Sequence, residues 1–410
     1  MRDSQSDPRR LFRPGQMVRD FRAKTVPRER TALAIWFWEI DRVLLALIII
    51  LVAIGLVAVA AASPVAAIDR STSDINVDPL HYFYRQLMWV GVGVPVMLFI
   101  SMLPKEELRR YTLWAALGFT IILMLVPLIG TNVNGAKRWI TIGIQFQPSE
   151  FLKPAYVVAM AWLFSLRERD PGLPVVALTG AITALIAGLL MQQPDFGQTV
   201  IFCTCWGALL LLGGVAWRWL AGIAGLGIAG VFAMYFLYEN GRQRINDFLG
   251  IGGHPETGPD QTDLAYRTIT NGGFTGVGPG GGQAKFRLPE AHTDYIFSVI
   301  GEEFGLFACI IIVLLYLAII VRVLLRLLDE EDVFIILASA GLTIQFGLQA
   351  IINMGVNAHI FPSKGMTLPF ISYGGSSMLA LSIGVGLLLA FTKRNPFMDG
   401  KPRAVRWSGR

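Results

Sequence analysis

The sequence predicts an all-α polytopic membrane protein of about ten transmembrane helices, with both termini inside. Three observations carry that prediction. Apolar residues make up 54% of the 410 and charged residues only 16%, where a soluble globular chain carries about 25% charge. Runs of about 20 apolar residues recur, each long enough to cross a bilayer as a helix; the first, Val43 to Ala62, holds no charge. With the N-terminus inside, the inner segments hold 24 Lys and Arg against ten in the outer loops, the asymmetry that fixes orientation.

Residues 1–42 form a basic cytoplasmic arm. It is too long and too charged for a signal peptide and has no small-residue cleavage site in the right place. Its arginines alternate with Asp, Glu, Pro and Gly, the pattern of a disordered arm rather than a nucleic-acid patch. A transmembrane domain follows over 43–393, with helices at roughly 43–62, 86–103, 111–130, 148–166, 173–192, 197–213, 217–238, 294–321, 333–353 and 375–392. Residues 394–410 are a cytoplasmic tail. The fourth outer loop, 239–293, is far longer than the rest and contains the run Gly276 to Gly282. Nothing around that run resembles a nucleotide loop, so a flexible or tightly turning loop is expected. Cys203, Cys205 and Cys309 all fall in apolar runs and read as small buried hydrophobes, not as a disulfide framework or metal site.

This topology collects four polar motifs at the outer face. The first, Asn132 to Lys153, offers Lys137 and Arg138 in a loop. Pro148 and Glu150 then open a helix, and Lys153 lies three residues on, sharing a face with Glu150. Those two can be a self-neutralising pair that steadies the helix, or part of an anion site with Arg138. The second, Gln192 to Gln198, places Asp195 in a Pro-Asp-x-Gly turn. The third, Pro289 to Asp294, gathers Glu290, His292, Thr293 and Asp294 where membrane meets water. Asp294 can simply cap the next helix, but ionisable groups at that depth are functional candidates by default. The fourth, Asn353 to Ser377, mixes Pro, Gly and Ser at membrane depth, with Lys364 as its one charge and Ser376 near its end. Such backbone reads as re-entrant, tolerated only inside protein or along a watery cavity. The inner-face charges, such as Asp329 to Asp332, read as solvated linkers.

Four stretches are similar to the SEDS family of polytopic cell-wall proteins: Asn134 to Pro154, Gln193 to Thr199, Leu288 to Gly305 and Leu368 to Ser377. They lie in family order and cover the membrane region from about residue 40 to 395. Glu290-Ala291-His292 and Ser363-Lys364-Gly365 lean toward the family's cell-division branch. The resemblance implies a peptidoglycan glycosyltransferase in the bacterial cytoplasmic membrane, at the division septum. It would polymerise lipid II at the outer leaflet beside a class B penicillin-binding protein and other division proteins. The family's essential loop acid falls on Asp294, and its charged residues around the fourth span fall on Arg138, Glu150 and Lys153.

Lipid II carries an α-linked sugar diphosphate and the glycan is β-1,4, so one inverting displacement suffices, with undecaprenyl pyrophosphate leaving. Asp294 is the expected base, because a partly desolvated carboxylate is a stronger one. Lys153 and Arg138 are expected to stabilise the departing pyrophosphate, with Glu150 holding Lys153. Lys137, Glu290, Asp195, Lys364 and Ser376 are candidate substrate contacts; His292 either orients Asp294 or fills the loop. The sequence calls for no cofactor and shows no metal cage, although Mg2+ or Mn2+ can assist by neutralising phosphate. A lipid II flippase and a non-catalytic scaffold are the alternatives. The first should show inner-face polar groups and repeat symmetry; the second would not need charges in a cavity of its own.

Overall fold

The computed structural model describes residues 32–70, 77–133, 136–215, part of 221–246, 261–363 and 365–394. The chain divides into two units, Met1–Glu39 with Arg394–Arg410, and Ile40–Lys393. In the first, Ala32–Glu39 forms helix α1. Most of the basic arm, the C-terminal tail beyond Arg394, most of the predicted span at 217–238, and Lys364 lie outside the described residues.

The second unit is mostly helical: α2 (Arg42–Arg70), α3 (His81–Met102), α4 (Lys105–Ile129), α5 (Pro148–Arg169), α6 (Val175–Gln192), α7 (Phe196–Leu212), α8 (Gln261–Asn271), α9 (Ile296–Leu327), α10 (Val333–Asn357) and α11 (Ser376–Phe391). Six of these, α2, α3, α4, α6, α9 and α10, are long and apolar enough to cross a membrane, and α7 and α11 are shorter apolar helices. Helix α5 is more polar, carrying Glu150 and Lys153 at one end and Arg167-Glu168-Arg169 at the other. The chain is thus a polytopic helical membrane protein.

Helix α10 forms the core. In its apolar window 78% of residues are buried, against 17–39% for the other five candidate spans. It packs on α5, α9, α7 and α11, while α11 also packs on α3. Asp332 starts α10 by accepting the N–H groups of Phe334 and Ile335 at 2.9 and 3.4 Å, which satisfies two otherwise orphaned donors.

Three features depart from the sequence reading. The segment at 131–146 is not loop. It forms a small antiparallel sheet of β1 (Thr131–Val133), β2 (Ala136–Ile142) and β3 (Ile144–Phe146) in that order, so the fold is not purely α. The long predicted loop is built over residues 261–293. Helix α8 packs on α9, and the glycine run docks backbone to backbone, Val277 and Gly278 donating to the carbonyls of Glu302 and Glu303 at 3.0 and 3.1 Å. Gly276, at φ 82°, approaches so closely that a Cβ would lie 2.2 Å from the Glu303 oxygen. Helix α9 breaks at Gly305 to receive this loop. The carboxylate of Glu302 accepts the N–H groups of Gln283, Ala284 and Lys285 at 2.7–2.9 Å, and Lys285 pairs with Glu303. Third, Asp41, assigned to the N-terminal arm from sequence, is fully buried and clamped by Arg322 and Arg326 at 2.8 and 2.7 Å.

The segment 358–375 is irregular yet inside the protein, with Met366, Leu368, Phe370 and Ile371 buried. The Tyr316 hydroxyl donates to the Pro369 carbonyl at 2.6 Å. Helix α2 comes so close at Gly55 that a Cβ there would sit 2.2 Å from the Phe370 oxygen.

Candidate active site

Helix starts and turns from distant parts of the chain converge on one cleft of about 980 Å³. Its wall includes Arg138 on β2, Glu150 on α5, Glu290 and Asp294 in the turn before α9, and Ser376 at the start of α11. Glu150 sits in the first turn of α5 behind Pro148, whose fixed φ suits the first helical position. Its Oε1 accepts from Gln198 at 2.5 Å, and its Oε2 from Lys153 at 2.9 Å and Ser377 at 3.1 Å. Lys153 also donates to Gln349 Oε1 at 2.9 Å, Gln349 donates to the Thr367 carbonyl at 3.0 Å, and the hydroxyls of Thr367 and Ser377 lie 3.2 Å apart. Glu150, Lys153, Gln349, Thr367 and Ser377 thereby close a hydrogen-bonded ring that ties α5 and α10 to the segment before α11 and to α11 itself.

The side chain of Lys153 is 2% exposed and that of Glu150 7%. Lys153 does not face the cleft: it lies behind Glu150. Charges so buried persist only when fully paired, as these are.

Asp294 lies two residues before α9, whose N-cap is Tyr295, so Asp294 is not the cap. Its carboxylate faces the irregular segment: a Cβ on Gly365 would lie 3.3 Å from Asp294 Oδ2. The backbone of Asp294 is fixed from α10, its carbonyl accepting from Asn353 at 2.8 Å and Asn357 at 3.0 Å. Asn353 donates as well to the Met366 carbonyl at 2.6 Å, while Asn357 Oδ1 accepts the backbone and hydroxyl of Ser298 at 3.1 and 2.6 Å. An amide suits these posts because it donates and accepts at once.

Gln345, Gln349, Asn353 and Asn357 are spaced four apart and buried along one face of α10. The sequence reading missed this stripe. The signal was present, since four amides in register are costly in a span, but that reading weighed only charges. Asn353→Ala should leave the Met366 carbonyl unpaired, costing about 1–3 kcal/mol. It should also slow turnover about tenfold or more, with KM for lipid substrate unchanged, because Asp294 loses its placement and not its chemistry. Steady-state kinetics on the variant check this.

The other candidates separate. Glu290 is on the cleft wall at φ 52°, with the Thr293 hydroxyl donating to it at 2.9 Å. Ser376 is there too, its buried hydroxyl without a partner among the described residues. Arg138 reaches the cleft but spends Nε on the Gln193 carbonyl at 2.8 Å and Nη2 on that of Pro194. Asp195 is buried away from the cleft. It caps α7 through the Gln198 N–H at 3.4 Å and accepts from Gln147 at 2.9 Å. Burial pushes its carboxyl above the usual range, with Arg138 opposing. Lys137 points away, bonded to the Pro127 carbonyl at 3.3 Å.

His292 lies behind the wall, its ring 4.4 Å from Tyr82 and 5.6 Å from Tyr373, and its carbonyl accepts the Tyr373 N–H at 2.9 Å. Burial lowers its pKa to about 4, with the Glu290 carboxylate opposing. Because this folded value lies below the ordinary 6.5, the unfolded chain binds the extra proton first. The stabilisation is complete above pH 6.5 and is lost as pH falls toward 4, by up to about 3 kcal/mol. His292→Gln should flatten that part of the profile, read by thermal unfolding from pH 7 to 4.

No group of three or more His, Cys, Asp or Glu gathers among the described residues to hold a metal ion. The cleft is lined by both carboxylates and guanidiniums, a set suited to a neutral hydroxyl substrate with an anionic leaving group.

Known proteins resemble this chain along most of its length. Residues 41–395 match the family model FTSW_RODA_SPOVE, described as cell cycle protein. The chain is 38% identical over 374 residues to a probable peptidoglycan glycosyltransferase FtsW of Caulobacter vibrioides, covering 90% of this chain and 93% of that one. It is 36% identical to the Coxiella burnetii protein of the same description, covering 87% and 98%. A chain from a structure of a peptidoglycan synthase complex, concerned with coordination of polymerization and crosslinking, superposes with a TM-score of 0.70 at 27% identity, over 86% of this chain and 97% of that one. The crystal structure of the Thermus thermophilus rod shape determining protein RodA gives 0.63 at 27%, over 86% and 96%. The chain belongs to the FtsW, RodA and SpoVE family of cell cycle proteins, the SEDS family.

Proposed function

We infer that this chain is a peptidoglycan glycosyltransferase that polymerises lipid II into β-1,4 glycan strands at the outer face of the bacterial cytoplasmic membrane, during septal wall synthesis. The observation that carries the reading is the single cleft that joins Asp294, Glu150 and Arg138 from three distant segments. In the step we envisage, the sugar 4-hydroxyl oxygen of one lipid-linked substrate attacks the anomeric carbon of the other. The bond from that carbon to the phosphate oxygen breaks, undecaprenyl pyrophosphate leaves, and the hydroxyl proton passes to the Asp294 carboxylate. Arg138 meets the departing diphosphate, while Lys153 acts from behind by holding Glu150 and the ring. A divalent ion, Mg2+ or Mn2+, would arrive with the diphosphate.

Ten spans with both termini inside set this cleft at the outer face. A class B penicillin-binding protein is the proposed partner, supplying the transpeptidase. The family match and the described relatives support polymerisation over translocation. The test is labelled lipid II in liposomes holding the chain and that partner. Lysozyme-sensitive strands are expected; unreacted lipid II crossing the bilayer would overturn the reading in favour of a flippase.

A further inference from the structure

The cleft has a second cationic wall that the reaction above leaves unused. Arg70 at the end of α2 and Arg85 on α3 both line it. They belong to a different part of the fold from Arg138: α2 and α3 pack against each other and α3 against α11, whereas β2 packs on α4 and α5. Neither arginine makes an ion pair with another described residue, in contrast to Lys153, Lys285, Arg322 and Arg326, each of which is paired.

Aromatic rings pack beneath Arg70. The guanidinium of Arg70 lies 5.5 Å over the Tyr82 ring. That ring packs at 5.2 Å on Tyr373 and at 4.4 Å on His292, and the Tyr82 hydroxyl is buried without a partner among the described residues. Burial raises the Tyr373 phenol, and Arg85 and Arg70 both oppose that rise across the same space. Two guanidiniums lining one cleft, one of them over the Tyr82 ring, suit the clustered oxygens of a diphosphate.

Polymerisation requires two lipid-linked saccharide diphosphates at once, one giving up its diphosphate and one keeping it. We propose that Arg70 and Arg85 bind the retained diphosphate of the acceptor, while Arg138 serves the departing diphosphate of the donor. This rests on the glycosyltransferase reading. Asp294 and Glu290 line the same cleft as all three arginines. There an acceptor anchored at Arg70 and Arg85 presents its distal sugar hydroxyl to the base. Its own glycosidic phosphate bond stays intact, and only the donor's breaks.

Two lipid II analogues separate the roles. One, with its terminal 4-hydroxyl methylated, can only donate; the other, with carbon replacing the anomeric oxygen, can only accept. Together they yield one lipid-linked tetrasaccharide, read on a gel, using the full chain with its penicillin-binding partner. Arg85→Ala, alone and with Arg70→Ala, is expected to raise KM for the acceptor-only analogue about tenfold or more, and to move the donor-only KM by less than about twofold. Arg138→Ala should do the reverse. Arg85→Lys, which keeps the charge and guards against a folding defect, should fall in between. An equal rise for both analogues, a rise for the donor alone, or no change would overturn the assignment. If the unsubstituted chain makes no tetrasaccharide, the glycosyltransferase reading itself fails, and the acceptor site with it.

Discussion

Lys153→Met is expected to be among the most damaging single substitutions in the chain. It removes the cation from a pair whose two side chains are almost wholly buried, leaving the Glu150 carboxylate uncompensated. Breaking a buried pair from one side costs about 3–5 kcal/mol, whereas replacing both partners with apolar groups of similar size is often nearly neutral. Glu150→Gln combined with Lys153→Met removes both charges, leaving no uncompensated one, and should recover part of the lost thermal stability. It should not recover strand synthesis, because Gln349, Thr367 and Ser377 lose the charges that hold the ring closed beside the cleft. Thermal unfolding and a polymerisation assay on the single and double variants separate the two effects. Equal stability of all forms would mean the pair is not buried as described. Full activity in the double variant would remove the ring from the function.

Asp294→Asn carries the largest expected effect on activity alone. The substitution keeps shape and volume, and the contacts that fix this residue from α10 are made to its backbone carbonyl, which the substitution leaves in place. Unfolding temperature should change little. What disappears is the only atom set assigned to accept the proton. General-base catalysis contributes about 10²–10⁴ in rate, so strand formation should fall by at least that range. Substrate binding should persist, since the cationic groups of the cleft are untouched. A pull-down of labelled lipid II measures that separately from turnover.

What the sequence disclosed follows from what kind of signal each feature leaves. Glu150, Lys153 and Asp294 were legible because a charge within or beside an apolar run is conspicuous. Helices α2, α3, α4, α6, α9 and α10 were legible for the complementary reason, their long apolar runs, whereas α8 lies in what reads as loop. The sheet at 131–146 was not: its strands are three to seven residues long and sit in what reads as a loop between spans. The docking of the glycine run was also hidden. Its bonds to residues 302 and 303 join backbone to backbone, and backbone bonds leave no residue-type signature beyond the glycines themselves. Asp41 and its two arginines are separated by 281 and 285 positions, so no local spacing could pair them. His292 and Asp195 drew attention as ionisable residues. Their burial against Tyr82 and Tyr373 in one case, and against Gln147 and the start of α7 in the other, depends on tertiary contacts that periodicity does not encode.

The most direct test of the central claim compares the native chain with Asp294→Asn, each purified with the cognate penicillin-binding partner and given labelled lipid II, with glycan strands read on a gel. The account predicts strands from the native chain and none from the variant, at equal protein stability and equal lipid II binding. Strands from both would contradict it by removing Asp294 from the chemistry.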